Sequence, residues 1–350
     1  MISFESDYIT GCHPEVLKAL NDTNYEVCSG YGLDIHTQKA KEYICEYFNH
    51  KVNPDDIIFL MGGTQVNDVV LDALCADYQG VITAQTGHIA VHEAGAIELS
   101  GHKVITIKGI NGKMDIPSLK EYLHVFYQDE NREHMVWPGV IYISYPTEYG
   151  TLYTKEELKE LRNICDQNDL KLFIDGARLG YGLNSPMSSL NKDDIVDYSD
   201  AFYVGGTKVG ALCGEAVVFS QHNMPPHFIN FIKKRGALVA KGRIFGVQFE
   251  TLFNSKDKGF LYDAIGQKAS CLAQELTQIL LKYHYELYLP TESNQVFVKM
   301  PTAQYHKFKE YVTAGFWETQ GDDTILRFAT TWSTTEQDLV ALESVLKVIQ

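Results

Sequence analysis

The sequence lacks cysteine pairs at disulfide or metal spacing: Cys12, Cys28, Cys45, Cys75, Cys165, Cys213 and Cys271 stand singly and are odd in number. They read as free thiols in a reducing compartment, so neither a disulfide framework nor a zinc site is expected and the cytoplasm is the expected location. No apolar run reaches the roughly 18 residues of a membrane-spanning helix. The opening MISFESDYITGCHPEVLKAL is polar and acidic, without the apolar stretch of a secretory leader. Positive charge is also scarce. With 30 Lys and Arg against 45 Asp and Glu, the formal net charge of −15 opposes phosphate and argues against nucleic-acid binding. The one basic cluster, Lys233, Lys234, Arg235, Lys241 and Arg243, is local and of a size to meet a small anion. Internal repeats and low-complexity linkers are missing too.

What is present is an ordinary globular composition: 350 residues, 45% hydrophobic and 21% charged, enough for a large domain and a smaller one. Helical spacing of apolar residues marks 36–49 and 154–167, the second opened by a Thr154/Glu157 capping box. Between such segments lie short apolar runs at 56–61, 80–83, 103–107, 139–144, 171–174, 200–204 and 215–219. Their alternation with helices predicts an α/β domain with a mainly parallel seven-stranded sheet. After about residue 245 the pattern changes to long helices over 247–283, a strand at VFVKM, a helix over 304–314 and a strand at ILRFATTW. The expected organisation is therefore a large domain over 1–245, carrying an N-terminal arm over 1–30, and a small α+β domain over 246–350.

Ligands of open α/β sheets bind beyond the carboxyl ends of the strands, and four stretches fall there. Gly62-Gly63-Thr64 joins a strand to a helix. It serves either as a tight turn or as a cradle of backbone N–H groups for a phosphate. A Walker A loop and a GxGxxG fingerprint are both missing. His88 follows the strand GVIT and is either a structural histidine or a flat ring that stacks on an aromatic ligand. HIAVHE lacks the HExxH order, so His92 and Glu93 read as ordinary helix residues and no metal site is expected. Asp175 ends the strand KLFI with Arg178 three residues on. The two either pair with each other, or Asp175 faces a protonated ring nitrogen while Arg178 orients a substrate anion.

The fourth stretch, YVGGTKVGALCG, sets Lys208 alone among glycines and apolar residues. Desolvation of that kind lowers an amine's pKa and makes it a nucleophile. One cofactor needs all four features: pyridoxal 5′-phosphate requires a phosphate cradle, a stacking group, a carboxylate for its ring nitrogen and a lysine for its aldehyde.

With these motifs in order, the chain resembles the low-specificity threonine aldolase and β-eliminating lyase family of fold-type I pyridoxal-phosphate enzymes. The resemblance runs from FESDYITGCHPEVLKAL through SGYGLDIHT, GGTQVN, TGHIAVHEAGA, FIDGARLG and GGTKVGALCGEAVVF to LRFATTWST. It implies a cofactor aldehyde held by Lys208, a ring nitrogen partner at Asp175, stacking by His88 and phosphate binding by Gly63 and Thr64. Ser6, Arg178 and Arg327 are implied to bind the substrate carboxylate. Tyr31 and Arg243 are implied to reach the cofactor of a neighbouring subunit, in a homodimer or homotetramer with shared active sites.

The implied reaction is cleavage of a β-hydroxy-α-amino acid, threonine or allo-threonine, to glycine and an aldehyde. One departure bears on it. Where the family carries a histidine near the substrate hydroxyl, in a Glu-Asn-Thr-His-like run, this chain reads Tyr145-Pro146-Thr147-Glu148. Glu148 stands there as acid or base, and the alternative is another reaction of the same cofactor: β-elimination, racemisation or transamination.

Overall fold

The computed structural model describes residues 2–255 and 259–349. Seven strands form one sheet in the spatial order Ile57–Leu60, Glu215–Phe219, Ala201–Gly205, Lys171–Asp175, Trp137–Ser144, Gln79–Ala84, Val104–Ile107. Every pairing is parallel except the two made by Glu215–Phe219, which runs antiparallel to both neighbours. Each of the seven apolar runs read from the sequence is one of these strands. Helices Ile35–Tyr47 and Lys155–Asn168 fall where the periodicity placed them, the second with its Thr154/Glu157 capping box formed.

Both faces of the sheet are covered, which is why its strands are apolar at nearly every position. Ile141, Ile143, Leu172, Ile174, Phe202 and Val204 point into one core layer. Tyr142, Phe173 and Tyr203 point into the other, against Val66, Val69 and Val70 of helix Gly63–Leu74. The register pairs Tyr142 with Phe173, Ser144 with Asp175 and Phe173 with Ala201. By the two-residue period of a strand, Asp175 and Tyr203 therefore lie on the same face as Tyr142.

A second sheet has the order Ile2–Phe4, Val312–Gln320, Asp323–Ala329, Gln295–Pro301, Glu286–Leu287. Its outer strand is the first of the chain, parallel to Val312–Gln320, so residues 5–8 leave that sheet directly toward the larger one. The helical span expected over 247–283 is two helices, Arg243–Phe253 and Leu261–Lys282, with residues 256–258 outside the described set. The helix expected over 304–314 is shorter, Thr302–Phe308, and residues 312–314 are already strand. Tertiary pairing overrides the helical spacing there: Val312, Thr313 and Ala314 pair with Ile2, Ser3 and Phe4.

Two glycines set the closeness of strand ends in the large sheet. A Cβ on Gly176 would sit 1.8 Å from the carbonyl oxygen of Tyr203, and one on Gly205 would sit 2.3 Å from that of Ala177. Gly176→Ala must therefore push apart the ends that carry Asp175 and the loop to Lys208. A loss of about 1–3 kcal/mol follows for such overpacking, read as a lower urea midpoint at unchanged slope. Coincident midpoints for the two proteins would refute the close approach.

Candidate active site

Lys208 sits on a loop whose backbone is pinned on all sides. The N–H groups of Gly206 and Thr207 both donate to the Gly214 carbonyl, at 3.1 Å each. Gly206 also donates to Glu215 Oε2 at 2.9 Å, Gly214 N–H donates to Thr207 Oγ1 at 3.0 Å, and the Tyr181 hydroxyl donates to the Lys208 carbonyl at 2.6 Å. The side chain enters a cavity in which its Nζ lies 5.9 Å from the centre of the Tyr8 ring. Among the described residues no carboxylate lies within ion-pair distance of it. Desolvation, then the Arg178 charge, lower the Lys208 pKa, against the opposing pull of Asp7, Asp175 and Glu215.

Asp175 is buried at the end of its strand and accepts four hydrogen bonds. Tyr142 Oη donates to Oδ2 at 2.6 Å and Asn67 Nδ2 to the same oxygen at 3.1 Å. Tyr203 Oη and the Ala177 N–H, the latter at 3.0 Å, donate to Oδ1. Burial alone would raise this carboxyl, but the charge of His88 and these donors hold it below the usual range, so it stays ionised.

Of the two readings of Asp175 and Arg178, the mutual ion pair does not form. Arg178 pairs instead with Asp7, Nε to Oδ2 at 2.6 Å and Nη2 to Oδ1 at 3.0 Å. Burial pushes Asp7 up, but Arg178, Lys208 and a hydrogen bond from Asn294 outweigh it and hold the carboxyl at about 2. Sequence reasoning missed Asp7. Its place beside Ser6 in ESDYIT was the available signal.

His88 opens a one-turn helix after Gly87. Its Nδ1 lies 2.7 Å from Glu93 Oε1, and that oxygen also accepts from Asn67 Nδ2 at 2.7 Å. Glu93 is thus not an ordinary helix residue: its side chain is fully buried and ties the His88 ring to the asparagine that also holds Asp175. Burial opposes protonation of His88, but the bond to Glu93 and the Asp175 and Glu93 charges raise its pKa.

The His88 N–H donates to Glu148 Oε1 at 2.9 Å, and Ser144 Oγ donates to the same oxygen at 2.6 Å. Burial raises the Glu148 pKa above that of an ordinary glutamate, the Ser144 bond opposes it, and the Asp175 charge adds to the rise.

These groups share one cavity. An inner lobe of about 120 Å³ is lined by Gly63, Thr64, His88, Glu148, Asp175 and Lys208, together with Arg178. An outer lobe of about 430 Å³ shares His88, Glu148, Arg178 and Lys208 and adds Tyr8, Trp317 and Arg327. Helix Gly63–Leu74 begins at the inner lobe with no side-chain cap on its N–H groups. A Cβ on Gly63 would come 2.9 Å from Tyr203 Oη, so a side chain there would crowd the hydroxyl that donates to Asp175. Arg327 guards the outer lobe, its guanidinium 5.8 Å from the Trp317 ring centre and one Nη2 bond of 3.3 Å reaching the Glu5 carbonyl. Arg327 Nε and Ser6 Oγ are buried without a hydrogen-bond partner among the described residues. Ser6 itself lines neither lobe.

Tyr31 and Arg243 line neither lobe of this chain. Tyr31 is half-exposed with Lys233 Nζ 5.2 Å from its ring centre, and Arg243 donates to the carbonyls of Glu26, at 2.8 Å, and Thr23. The rest of the basic cluster is also partly engaged: Arg235 pairs with Asp68 at 2.7 Å and Asp72 at 2.6 Å, and Lys234 reaches Asp72 at 3.4 Å.

Residues 3–307 match the family described as Beta-eliminating lyase. The low specificity L-threonine aldolase of Pseudomonas sp. (strain NCIMB 10558) is 30% identical over 304 residues, 85% of this chain and 84% of that protein. The solved threonine aldolase of Leishmania major superposes with a TM-score of 0.93 over the whole of both chains at 36% identity. A mutant aspartate aminotransferase of Thermus thermophilus, 12% identical, superposes at 0.71 over 100% of this chain and 92% of its own, a likeness of fold alone.

The balance around Lys208 gives a measurable sign. Its amine is neutral above a pKa that lies lower than a free lysine's, and removing the Arg178 charge removes a cause of that lowering and leaves Asp7 unpaired beside it. Arg178→Met must therefore shift the titration to higher pH. The pH profile of Lys208 acylation by an amine-selective reagent, read by peptide mass, measures it, and an unmoved or lower inflection contradicts the electrostatics.

Proposed function

The chain belongs to the β-eliminating lyase family, and from that premise we propose that it is a pyridoxal-phosphate-dependent aldehyde-lyase that cleaves threonine or allo-threonine to glycine and acetaldehyde. The observation that carries this is the convergence on one cavity of a desolvated lysine, an ionised carboxylate held by four donors, an imidazole and an uncapped helix start.

The residues fit the cofactor. Lys208 would hold its aldehyde carbon, Asp175 its ring nitrogen, His88 its ring face, and Thr64 with the Gly63 backbone its phosphate. When bound, the cofactor withdraws electrons from the substrate Cα and so weakens the bonds to it. The chain supplies the rest. Arg327, whose Nε has no partner among the described residues, and Arg178 face the outer lobe as a carboxylate clamp, which fixes the orientation of the bond to be broken. Asp7 holds Arg178 in place by the pair described above.

Glu148 takes the proton of the substrate β-hydroxyl. Its bonds from His88 and Ser144 both end on Oε1, which leaves Oε2 for the substrate. Its raised pKa brings a carboxylate toward the basicity that a histidine would offer. Tyr31 and Arg243, outside the cavity of their own chain, would serve the cavity of a second copy in a homo-oligomer. Tyr25, Val27 and Leu33, strongly exposed on the same segment, would be covered by that copy. The free state of all seven cysteines agrees with a cytoplasmic setting.

Purified enzyme should release acetaldehyde and glycine from at least one threonine diastereomer, with Lys208→Ala reduced to background. Glu148→Gln should lower kcat by roughly 10²–10⁴-fold, the usual weight of a general base. Neither product from either diastereomer would overturn the assignment, and pyruvate with ammonia from serine would transfer it to β-elimination.

A further inference from the structure

Glu26, Cys28 and His36 form a second cluster of ligating side chains, none of which lines the cavity around Lys208. One donor atom from each lies within 4.8 Å of the other two. His36 is fixed at the start of helix Ile35–Tyr47, buried, with Nε2 2.7 Å from Glu26 Oε2 and Nδ1 2.6 Å from Glu250 Oε2. Glu250 belongs to helix Arg243–Phe253, while Glu26 and Cys28 lie on the irregular stretch that precedes Asp34.

We propose that Glu26, Cys28 and His36 bind a divalent transition metal of the zinc class, with Glu250 orienting His36 from behind. A thiolate, an imidazole and a carboxylate are a donor set that zinc and its neighbours accept, whereas calcium and magnesium take oxygen ligands. Metal-to-ligand bonds of about 2.0–2.3 Å in a tetrahedron put ligand atoms roughly 3.3–3.8 Å apart. The three atoms therefore need to move by about an ångström at most, with two of them on a segment free of regular hydrogen-bond ladders. The fourth position is left to water.

The Glu250 carboxylate on Nδ1 is the second, separate observation. A ligating histidine almost always gives its other ring nitrogen to a carboxylate or carbonyl, which sets the tautomer and leaves Nε2 for the metal. His36 has that arrangement, with Nε2 turned to Glu26. Binding displaces the protons of the thiol and of the imidazole bridge. It would tie the 23–33 segment to both helices beside the point where Arg243 holds the Glu26 carbonyl.

The test uses the full-length holoenzyme, stripped with EDTA and titrated with Co²⁺ and then Zn²⁺. One Co²⁺ per chain should bind with a thiolate-to-cobalt charge-transfer band, and Zn²⁺ should displace it. Cys28→Ser should abolish the band while circular dichroism remains that of the wild type. Glu250→Gln keeps all three ligands and should weaken binding roughly 10–100-fold. The proposal is overturned by an absent band in the wild type, by a band that persists in Cys28→Ser, or by unchanged affinity in Glu250→Gln. Should Cys28→Ser fail to fold, the Glu250→Gln titration decides alone. Loss of turnover in Lys208→Ala bears only on the cofactor reading, so the two proposals fail separately.

Discussion

A carboxylate enclosed away from water must find donors or lose its charge, and Asp175 is the point at which this chain meets that demand. Its four donors come from two neighbouring strands, one helix and the turn that follows its own strand. The strand period lets this happen only in one register. Tyr142, Asp175 and Tyr203 share a face because the pairing sets Ser144 beside Asp175 and Phe173 beside Ala201. A slip of one residue would offer Ile143 or Val204 instead of a hydroxyl and strand the charge. Gly176 and Gly205 then bring the strand ends close enough for the loop to Lys208 to begin beside the carboxylate.

The rest of the cavity follows from keeping that charge in company. Asp175 and Glu93 raise His88, His88 in turn lowers Asp175, and Asn67 Nδ2 touches both carboxylates. On the other side Arg178 would face Lys208 as an unrelieved like charge were Asp7 not bonded to two of its nitrogens. Asp7 arrives on the segment that leaves the small sheet, so the docking of the chain's first strand beside Val312–Gln320 is also what sets the electrostatics at Lys208. Fold and site are thus one arrangement of charges, joined through residues far apart in sequence.

That distance explains which features could be read from the sequence. Strands, the capping box at Thr154, the glycine turn at Gly63 and the isolation of Lys208 are local patterns, and each lies where its pattern indicated. Asp7, Asn67, Tyr142 and Tyr203 escaped because their importance rests on partners 26 to 287 residues away, as in the Asn67–Glu93 and Asn294–Asp7 bonds. Glu93 was visible but misjudged, since a carboxylate five residues from a histidine signals nothing until the chain turns back on itself. The helix expected through 314 failed for the same reason, as pairing with Ile2–Phe4 outweighs local spacing.

The proposed role of Glu148 rests on what enclosure does to a carboxylate. A carboxylate in water is too weak a base to draw a proton from a hydroxyl near neutrality, and what changes this is position. Burial raises Glu148, the Ser144 hydrogen bond opposes it, the Asp175 charge adds to the rise and the His88 charge restrains it, so the group is a stronger base than an exposed glutamate. Glu215, buried and accepting from the Gly206 N–H of the Lys208 loop, is raised to about 7 by burial against a hydrogen bond from Thr207. Burial thus shifts both carboxyls upward, and the Lys208 charge lowers Glu215 while Glu215 pulls Lys208 up. In the proposed reaction Glu148 takes the hydroxyl proton, while Glu215 adjusts the charge that Lys208 feels.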